Sequence, residues 1–175
     1  SFDFGDAPEG ALAYPASGVV GQFPTCMTVG PAAWIQHRNL GVYLGGGDQE
    51  MDGNAGLCPG FNPYDADECF NDGDAGLLFP PANTIDAVGN VVQCPLARGA
   101  GSLGQVCQMA YWGTNIAVQA TNATMNTAFL NILIDWDQNG AWGGTSACQY
   151  VLVPEHVLVD FPIPAGHVGA VSMLG

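Results

Sequence analysis

An all-β fold is expected for this chain of 175 residues, and within that class a β-sandwich of the immunoglobulin-like or jelly-roll-like kind. Apolar segments in the second half of the chain alternate with small or polar residues, as half-buried strands do. Glycine, proline and asparagine separate these segments, and no capped segment with helical periodicity extends beyond two turns. We therefore expect one domain over residues 1–175, built mainly of strands.

Residues 1–80 are expected to form a loop-rich, acidic half of this domain. Glycine, proline, aspartate and asparagine are frequent here, and apolar stretches such as 41–44 are short. A half with so little core needs cross-links, and its cysteines and carboxylates predict disulfide and metal staples. Residues 81–112, which include a glycine-rich stretch at 98–104, are interpreted as an insertion.

Residues 113–175 are expected to supply the strands of the sandwich. In Asn115–Thr121, apolar residues alternate with smaller or polar ones at a period of two. Phe129–Trp136 is apolar on both faces apart from Asn131 and Asp135, which is typical of a central strand. The other predicted strands, divided by proline-containing turns, are Gln149–Val153, His156–Ile163 and His167–Leu174.

The charge balance limits the partners of this chain. Sixteen carboxylates against 2 basic residues leave a formal net charge of −14. Nucleic acid is excluded because its phosphates require several cations on the protein, and membrane insertion is excluded because no apolar run is long enough. Carboxylates attract hard cations, and Ca²⁺ takes oxygen ligands. Charged residues make up only 10% of the chain, against roughly 25% in ordinary domains, so a largely neutral surface is expected.

The 6 cysteines are even in number and form no CxxC pair, which favours disulfides over a zinc site. Their spacing makes Cys58–Cys69 and Cys94–Cys107 plausible local loops, the second closing the insertion, although other connectivities remain open. Disulfides require an oxidising compartment. We therefore expect a piece of an exported protein, extracellular or at the cell surface, and the sequon Asn122-Ala123-Thr124 fits export.

The sharpest local signal is the string DWDQNG, in which Asp135, Asp137 and Asn139 alternate with other residues before a glycine. This pattern matches the first half of an EF-hand calcium loop. The twelfth loop position, however, is Ser146 instead of glutamate, and a strand precedes the loop, so it is not an EF-hand. We predict calcium ligation by these three side chains and the backbone carbonyl of Ala141. The alternative is an Asx-rich hairpin turn without metal.

A second set of carboxylates lies in the loop-rich half, where their mutual repulsion favours a bound divalent ion. Solvation without metal is the alternative. The predicted further ligands are Asp6, Asp48, Glu50, Asp72 and Asp74.

Several short motifs follow one another along the chain: DFGDAP at 3–8, DQEMDG at 48–53, DGDAG at 72–76 and LIDWDQNGAW at 133–142. In this order they resemble the secreted bacterial and archaeal proteins that carry the GEVED domain and its preceding acidic segment. The GEVED string itself is absent, and the insertion has no counterpart. The resemblance implies a β-sandwich module of large surface proteins with structural or adhesive roles, and it brings no catalytic residue.

We therefore expect an extracellular, calcium-binding structural or adhesive module, acting as a subunit or repeat of a surface layer, fibre, filament or matrix. Self-association or contact with neighbouring repeats is expected because the chain ends where the resembled family supplies a further strand, which leaves an open sheet edge. Ca²⁺ is the only cofactor expected.

Enzymatic activity is not expected, because the three histidines are dispersed and no GxSxG elbow is present. The alternative function is a calcium-dependent carbohydrate-binding module of a secreted enzyme. Its stacking faces would come from the tryptophans, each of which could instead belong to the core. These residues are Trp34, Trp112, Trp136 and Trp142.

Overall fold

The computed structural model describes residues 2–4, 12–14, 17–20, 36–38, 41–45, 76–80, 83–85, 91–93 and 105–175. In these ranges the regular elements are strands, apart from one 3₁₀ helix at Val171–Leu174. The all-β prediction is confirmed. The described residues contain no helix with the length and apolar character that a membrane span requires.

The strands described before residue 105 are short, none exceeding three residues. They are β1 Phe2–Phe4, β2 Leu12–Tyr14, β3 Val19–Val20, β4 Gln36–Arg38, β5 Val42–Leu44, β6 Leu77–Phe79, β7 Asn83–Ile85 and β8 Val91–Gln93. Three antiparallel pairs form among them, β1 with β4, β2 with β3 and β7 with β8. The described parts of residues 1–80 therefore agree with the expectation of short strands, and β7 and β8 lie in the predicted insertion.

Longer strands follow in the second half of the chain. They are β9 Ala117–Asn122, β10 Ala128–Leu133, β11 Thr145–Cys148, β12 Val151–Pro154, β13 His156–Ile163 and β14 Val168–Ala170. The last predicted strand is shorter than expected, because the chain turns into the 3₁₀ helix after Ala170. In that turn, residues three apart share one side, and Val171 is buried while Leu174 packs beside it.

The prediction that Phe129–Trp136 is a central strand buried on both faces is wrong. Burial alternates along β10, with Phe129 64% and Leu133 44% exposed. In the described part of the chain β10 pairs only with β13, in a two-stranded antiparallel sheet. One face of this pair therefore contacts solvent, although most of its side chains are apolar.

Among the described residues, strand β9 is the centre of the largest sheet. Strand β14 pairs with one edge, while β5 and β6 pair with successive parts of the other. At their junction the Gly45 N–H donates to the Gln119 carbonyl, and the Gln119 N–H donates to the Gly76 carbonyl, both at 2.7 Å. Gly76 has φ +89°, and a Cβ there would collide with the Gly45 backbone, so only glycine fits this junction.

One hydrophobic core joins the β9 sheet to the β10–β13 pair. Its buried members are Ala120 of β9, Ile163 of β13 and Val171 of the 3₁₀ helix. Partly buried apolar side chains surround them, namely Trp112, Val118, Ala128, Leu130, Phe161 and Leu174. Elements from both sheets thus depend on the same buried surface.

Asn122, the first residue of the sequon, is fully buried at the end of β9. Its Nδ2 lies within hydrogen-bond distance of the carbonyls of Asn126 (2.8 Å), Ile163 (2.9 Å) and Pro164 (3.1 Å). Its Oδ1 accepts from the Thr124 hydroxyl at 2.7 Å. The amide nitrogen that a glycan would occupy is therefore used to connect β9 with the end of β13.

A disulfide joins Cys107 to Cys148 of β11, with 5.3 Å between the Cα atoms. The expected loop between Cys94 and Cys107 is therefore wrong, and the insertion is not closed in that way. The physical reason is tertiary: the Cys107 N–H donates to the Trp136 carbonyl at 2.7 Å, which brings residue 107 to the loop preceding β11. The other cysteines lie outside the described residues.

Candidate metal centre

Three carboxylates converge next to the β10–β13 pair. Asp135, Asp137 and Glu155 each offer a ligand oxygen, and these oxygens lie within 4.8 Å of one another. Asp135 and Glu155 are buried, and Asp137 is partly buried. This group, called the carboxylate cluster below, could hold a metal ion.

Strand pairing explains how Glu155 reaches the DWDQNG loop. Leu133 of β10 lies opposite His156 of β13, and the Ile134 N–H donates to the Glu155 carbonyl at 2.8 Å. Continuation of this antiparallel register brings Glu155 to the start of the loop. Sequence reasoning missed Glu155. The signal that could have found it is its position directly before a predicted strand that pairs with the strand leading into the loop.

The Asp135 carboxylate organises the loop. It accepts the Asn139 N–H on Oδ1 at 3.1 Å and the Gly140 N–H on Oδ2 at 2.8 Å. Left-handed backbone at Gln138 (φ +56°) and Gly140 (φ +86°) turns these N–H groups inward. The Asx-rich hydrogen bonding predicted for a hairpin turn is therefore present, and it coexists with the cluster.

Two hydrogen-bond donors that follow the loop in sequence hold the Glu155 carboxylate. Glu155 is 1% exposed, accepts the Gly143 N–H on Oε2 at 2.7 Å, and accepts the Ser146 hydroxyl on Oε1 at 2.5 Å. Ser146 occupies the position at which an EF-hand loop carries its glutamate. Here the carboxylate near that position comes from the β12–β13 junction instead.

Asp137 is the least satisfied member of the cluster. Its Oδ1 is buried and has no hydrogen-bond partner. Burial, together with the hydrogen bond and charge of the adjacent Asp135 and the charge of Glu155, raises the pKa of Asp137, while the Asn139 N–H partly opposes this rise. The free Asp137 oxygen therefore favours either a proton or a cation beside it.

Tyr14 connects the N-terminal half to the cluster. Its side chain, on β2, is partly buried, and its hydroxyl lies near the Asp135 carboxylate. Burial, followed by the charge of this carboxylate and hydrogen bonding toward it, raises the pKa of Tyr14 well above its ordinary value. The hydroxyl thus remains a donor, and residues more than a hundred positions apart contribute to one site.

Comparison with known proteins does not assign this chain to a family. It matches no protein-family model, no curated protein and no solved structure. The resemblance to GEVED-containing proteins therefore remains a prediction from motifs.

The predicted ligands have different outcomes. Asp135 and Asp137 lie together in the cluster, as expected. The Asn139 Oδ1 accepts the Ala141 N–H at 2.8 Å, and ligation by Asn139 or by the Ala141 carbonyl stays a prediction. The acidic residues predicted in the N-terminal half lie outside the described residues; they are Asp6, Asp48, Glu50, Asp72 and Asp74.

The tryptophans that the alternative carbohydrate-binding function would use have other partners where the structure describes them. Trp112 packs against the hydrophobic core, and the Trp136 indole N–H donates to the Pro154 carbonyl at 3.1 Å. Trp142 is partly buried, and Trp34 lies outside the described residues. These contacts lend no support to sugar stacking on Trp112 or Trp136.

The chemistry of the cluster follows from its charge. Two ionised carboxylates 4.8 Å apart repel each other by about 3 kcal/mol at an effective dielectric constant of about 20. This repulsion favours a proton on Asp137 or a cation beside it. An all-oxygen ligand set suits Ca²⁺, Mg²⁺ or Mn²⁺, whereas zinc sites usually contain histidine or cysteine.

Proposed function

We propose that this chain is an extracellular calcium-binding structural or adhesive module, with its metal site at the carboxylate cluster. The observation that carries the proposal is the buried, unpartnered Oδ1 of Asp137 beside the carboxylates of Asp135 and Glu155. Uncompensated buried charge is costly, and a divalent cation compensates it.

Calcium is favoured over magnesium by the way these carboxylates are held. Asp135 and Glu155 are each bound by two protein donors, so their directions are set by the fold and not by the ion. Mg²⁺ demands near-ideal octahedral geometry, whereas Ca²⁺ accepts six to eight oxygens in irregular arrangements at about 2.3–2.6 Å. Predicted backbone carbonyls, N-terminal carboxylates and water would complete the calcium shell.

Isothermal titration of the chelator-treated protein tests the metal assignment. We expect Ca²⁺ to bind and the Asp137→Asn variant to lose most of that binding, because one charged ligand becomes neutral. The matched control is Asp160→Asn, which removes an exposed carboxylate outside the cluster. Equal calcium binding by the native protein and the Asp137→Asn variant would refute this site.

The proposed architecture of the module is a β-sandwich with the β9 sheet and the β10–β13 pair as its layers. The shared core of Ala120, Ile163 and Val171 supports it, as does the resemblance to GEVED-containing proteins. The Cys107–Cys148 disulfide is consistent with an extracellular location, because such bonds persist in oxidising compartments.

The proposal includes self-association, and the exposed apolar residues of the uncharged β11–β12 hairpin support it. At its end Tyr150, Val151 and Leu152 are 96%, 63% and 72% exposed. Residues 143–154 carry no charge although the chain has a net charge of −14. Two copies could therefore meet at this hairpin without opposing charges on it, burying apolar side chains.

Sedimentation in calcium at micromolar concentration tests this part. We expect the native chain to assemble and Leu152→Glu to weaken assembly. Met125→Glu adds the same charge at another exposed apolar residue, 92% exposed, and is the control. A native chain that sediments as a monomer would contradict self-association while leaving the calcium site untouched.

A further inference from the structure

The Cys107–Cys148 disulfide is attached to both sides of the carboxylate cluster. On one side, the Cys107 N–H donates to the carbonyl of Trp136, which lies between Asp135 and Asp137 in sequence. Cys107 adopts a left-handed backbone at φ +53°, a conformation that non-glycine residues keep only when their surroundings impose it. The position of the loop backbone is therefore tied to that of Cys107.

On the other side, Cys148 belongs to the strand that positions Glu155. Strand β11 begins beside Gly144, whose carbonyl accepts the Glu155 N–H at 3.2 Å. Ser146, two residues before Cys148, donates its hydroxyl to the Glu155 carboxylate. Any shift of β11 would therefore move a donor of Glu155.

Trp136 connects these two sides directly. Its backbone carbonyl binds Cys107, while its indole N–H donates to the carbonyl of Pro154, the residue before Glu155. Hydrogen bonds thus run from Cys107 through Trp136 to Pro154, the residue before Glu155. The contacts of Glu155 with β11 lead on to Cys148, and the disulfide joins Cys148 back to Cys107. Opening the disulfide removes the covalent link among these contacts and leaves only hydrogen bonds.

We infer that the oxidation state of the Cys107–Cys148 disulfide and metal binding at the cluster are thermodynamically coupled. The inference rests on the proposed calcium site. Reduction by a dithiol breaks the S–S bond, forms two cysteine thiols and converts the dithiol to its cyclic disulfide, with two electrons transferred. The reduced protein holds the loop and Glu155 less rigidly, so it binds Ca²⁺ more weakly. By linkage, bound Ca²⁺ stabilises the oxidised form by the same factor.

Equilibration with dithiothreitol buffers measures the coupling. The fraction of each cysteine in thiol form is read by differential alkylation and peptide mass spectrometry, with saturating Ca²⁺ or with chelator. We expect Ca²⁺ to shift the Cys107–Cys148 equilibrium toward the disulfide by about tenfold, within the usual range for coupled sites. That factor corresponds to about 30 mV for a two-electron couple. Circular dichroism confirms that the protein remains folded in each buffer.

The second half of the experiment measures the same coupling from the metal side, because the disulfide must change the calcium affinity by the factor by which calcium changes the disulfide equilibrium. The Cys107→Ser/Cys148→Ser double variant, checked for folding in the same way, should bind Ca²⁺ about tenfold more weakly than the oxidised native protein. The Asp137→Asn variant keeps the disulfide but should lose its calcium-dependent shift. If the oxidised protein binds Ca²⁺ and the thiol equilibrium ignores the metal, the coupling is refuted and the calcium site stands. If the oxidised protein binds no Ca²⁺ in the titration, the calcium site itself fails.

Discussion

The hydroxyl of Ser146 donates to the carboxylate of Glu155, and both side chains are fully buried. Ser146 ends a twelve-residue stretch that begins as a calcium loop, and Glu155 lies nine residues further along the chain. A carboxylate thus lies near the position that a self-contained loop would fill with its own glutamate. The cluster is therefore a joint product of the loop and of the junction between β12 and β13.

The Asp137→Asn substitution should have opposite effects with and without calcium. In chelator the variant loses carboxylate repulsion, and a gain of about 1 kcal/mol would raise the melting temperature by about 2–4 °C. In calcium the native protein gains roughly 2.7 kcal/mol at a hundredfold excess over Kd, and the variant gains little. Thermal melting of both proteins checks this, with Asp160→Asn as control. A variant less stable than the native protein in chelator would contradict it.

The pH dependence of stability should reflect the raised pKa of Asp137. A carboxyl group whose pKa is higher in the folded state binds its proton more tightly there. Its stabilising contribution is complete below the ordinary aspartate pKa and is lost as pH rises through the folded value. In chelator, the unfolding free energy of the native protein minus that of the Asp137→Asn variant should therefore fall as pH rises. In calcium the native protein should instead be more stable than the Asp137→Asn variant, because Ca²⁺ takes the place of the proton at the carboxylate.

Urea unfolding at pH 4, 5, 6 and 7 measures that difference, and subtraction of the variant cancels the titration of carboxylates that do not interact with Asp137. A difference that does not change with pH in chelator would show that folding does not raise the pKa of Asp137.

The Ser146→Ala substitution should lower the free energy of unfolding by about 2 kcal/mol, because it removes a donor to a buried carboxylate. Thr145→Ala on the same strand is the control, because Thr145 is exposed and its change should cost much less. Urea unfolding in chelator measures both variants. Equal losses would mean that the Ser146 bond does not contribute specifically.

Asn122 should be unmodified in the folded protein although it begins a sequon. Its side chain is fully buried and bonded to backbone carbonyls at the end of β13, which leaves no room for a glycan. Intact-mass analysis of protein from a glycosylating host checks this, and a glycan on Asn122 of folded protein would refute it. Asn122→Ala should cost about 3 kcal/mol by leaving buried carbonyls unpaired. The exposed Asn126→Ala is the control for the unfolding measurement.

Interactions between residues that are close in sequence account for the features that the sequence predicted. The turn after β10 depends on bonds from Asp135 to Asn139 and Gly140, which span four and five residues, so its residue types alone indicate it. The β13 strand, His156–Ile163, also has the predicted bounds, because its apolar run ends at prolines and turn residues. An all-β chain with a candidate metal loop follows from such short-range preferences.

Long-range pairing decided the rest. Glu155 joins the cluster through the register between β10 and β13, and Tyr14 joins it from a strand more than a hundred residues earlier. Cys107 pairs with Cys148 because the Trp136 carbonyl holds it near β11, a contact that cysteine spacing does not reveal. The side of β10 that faces solvent likewise depends on which sheet covers the other side. Alternation and spacing record what each segment prefers, whereas contacts between distant segments depend on how those segments pack, and that is a property of the tertiary structure.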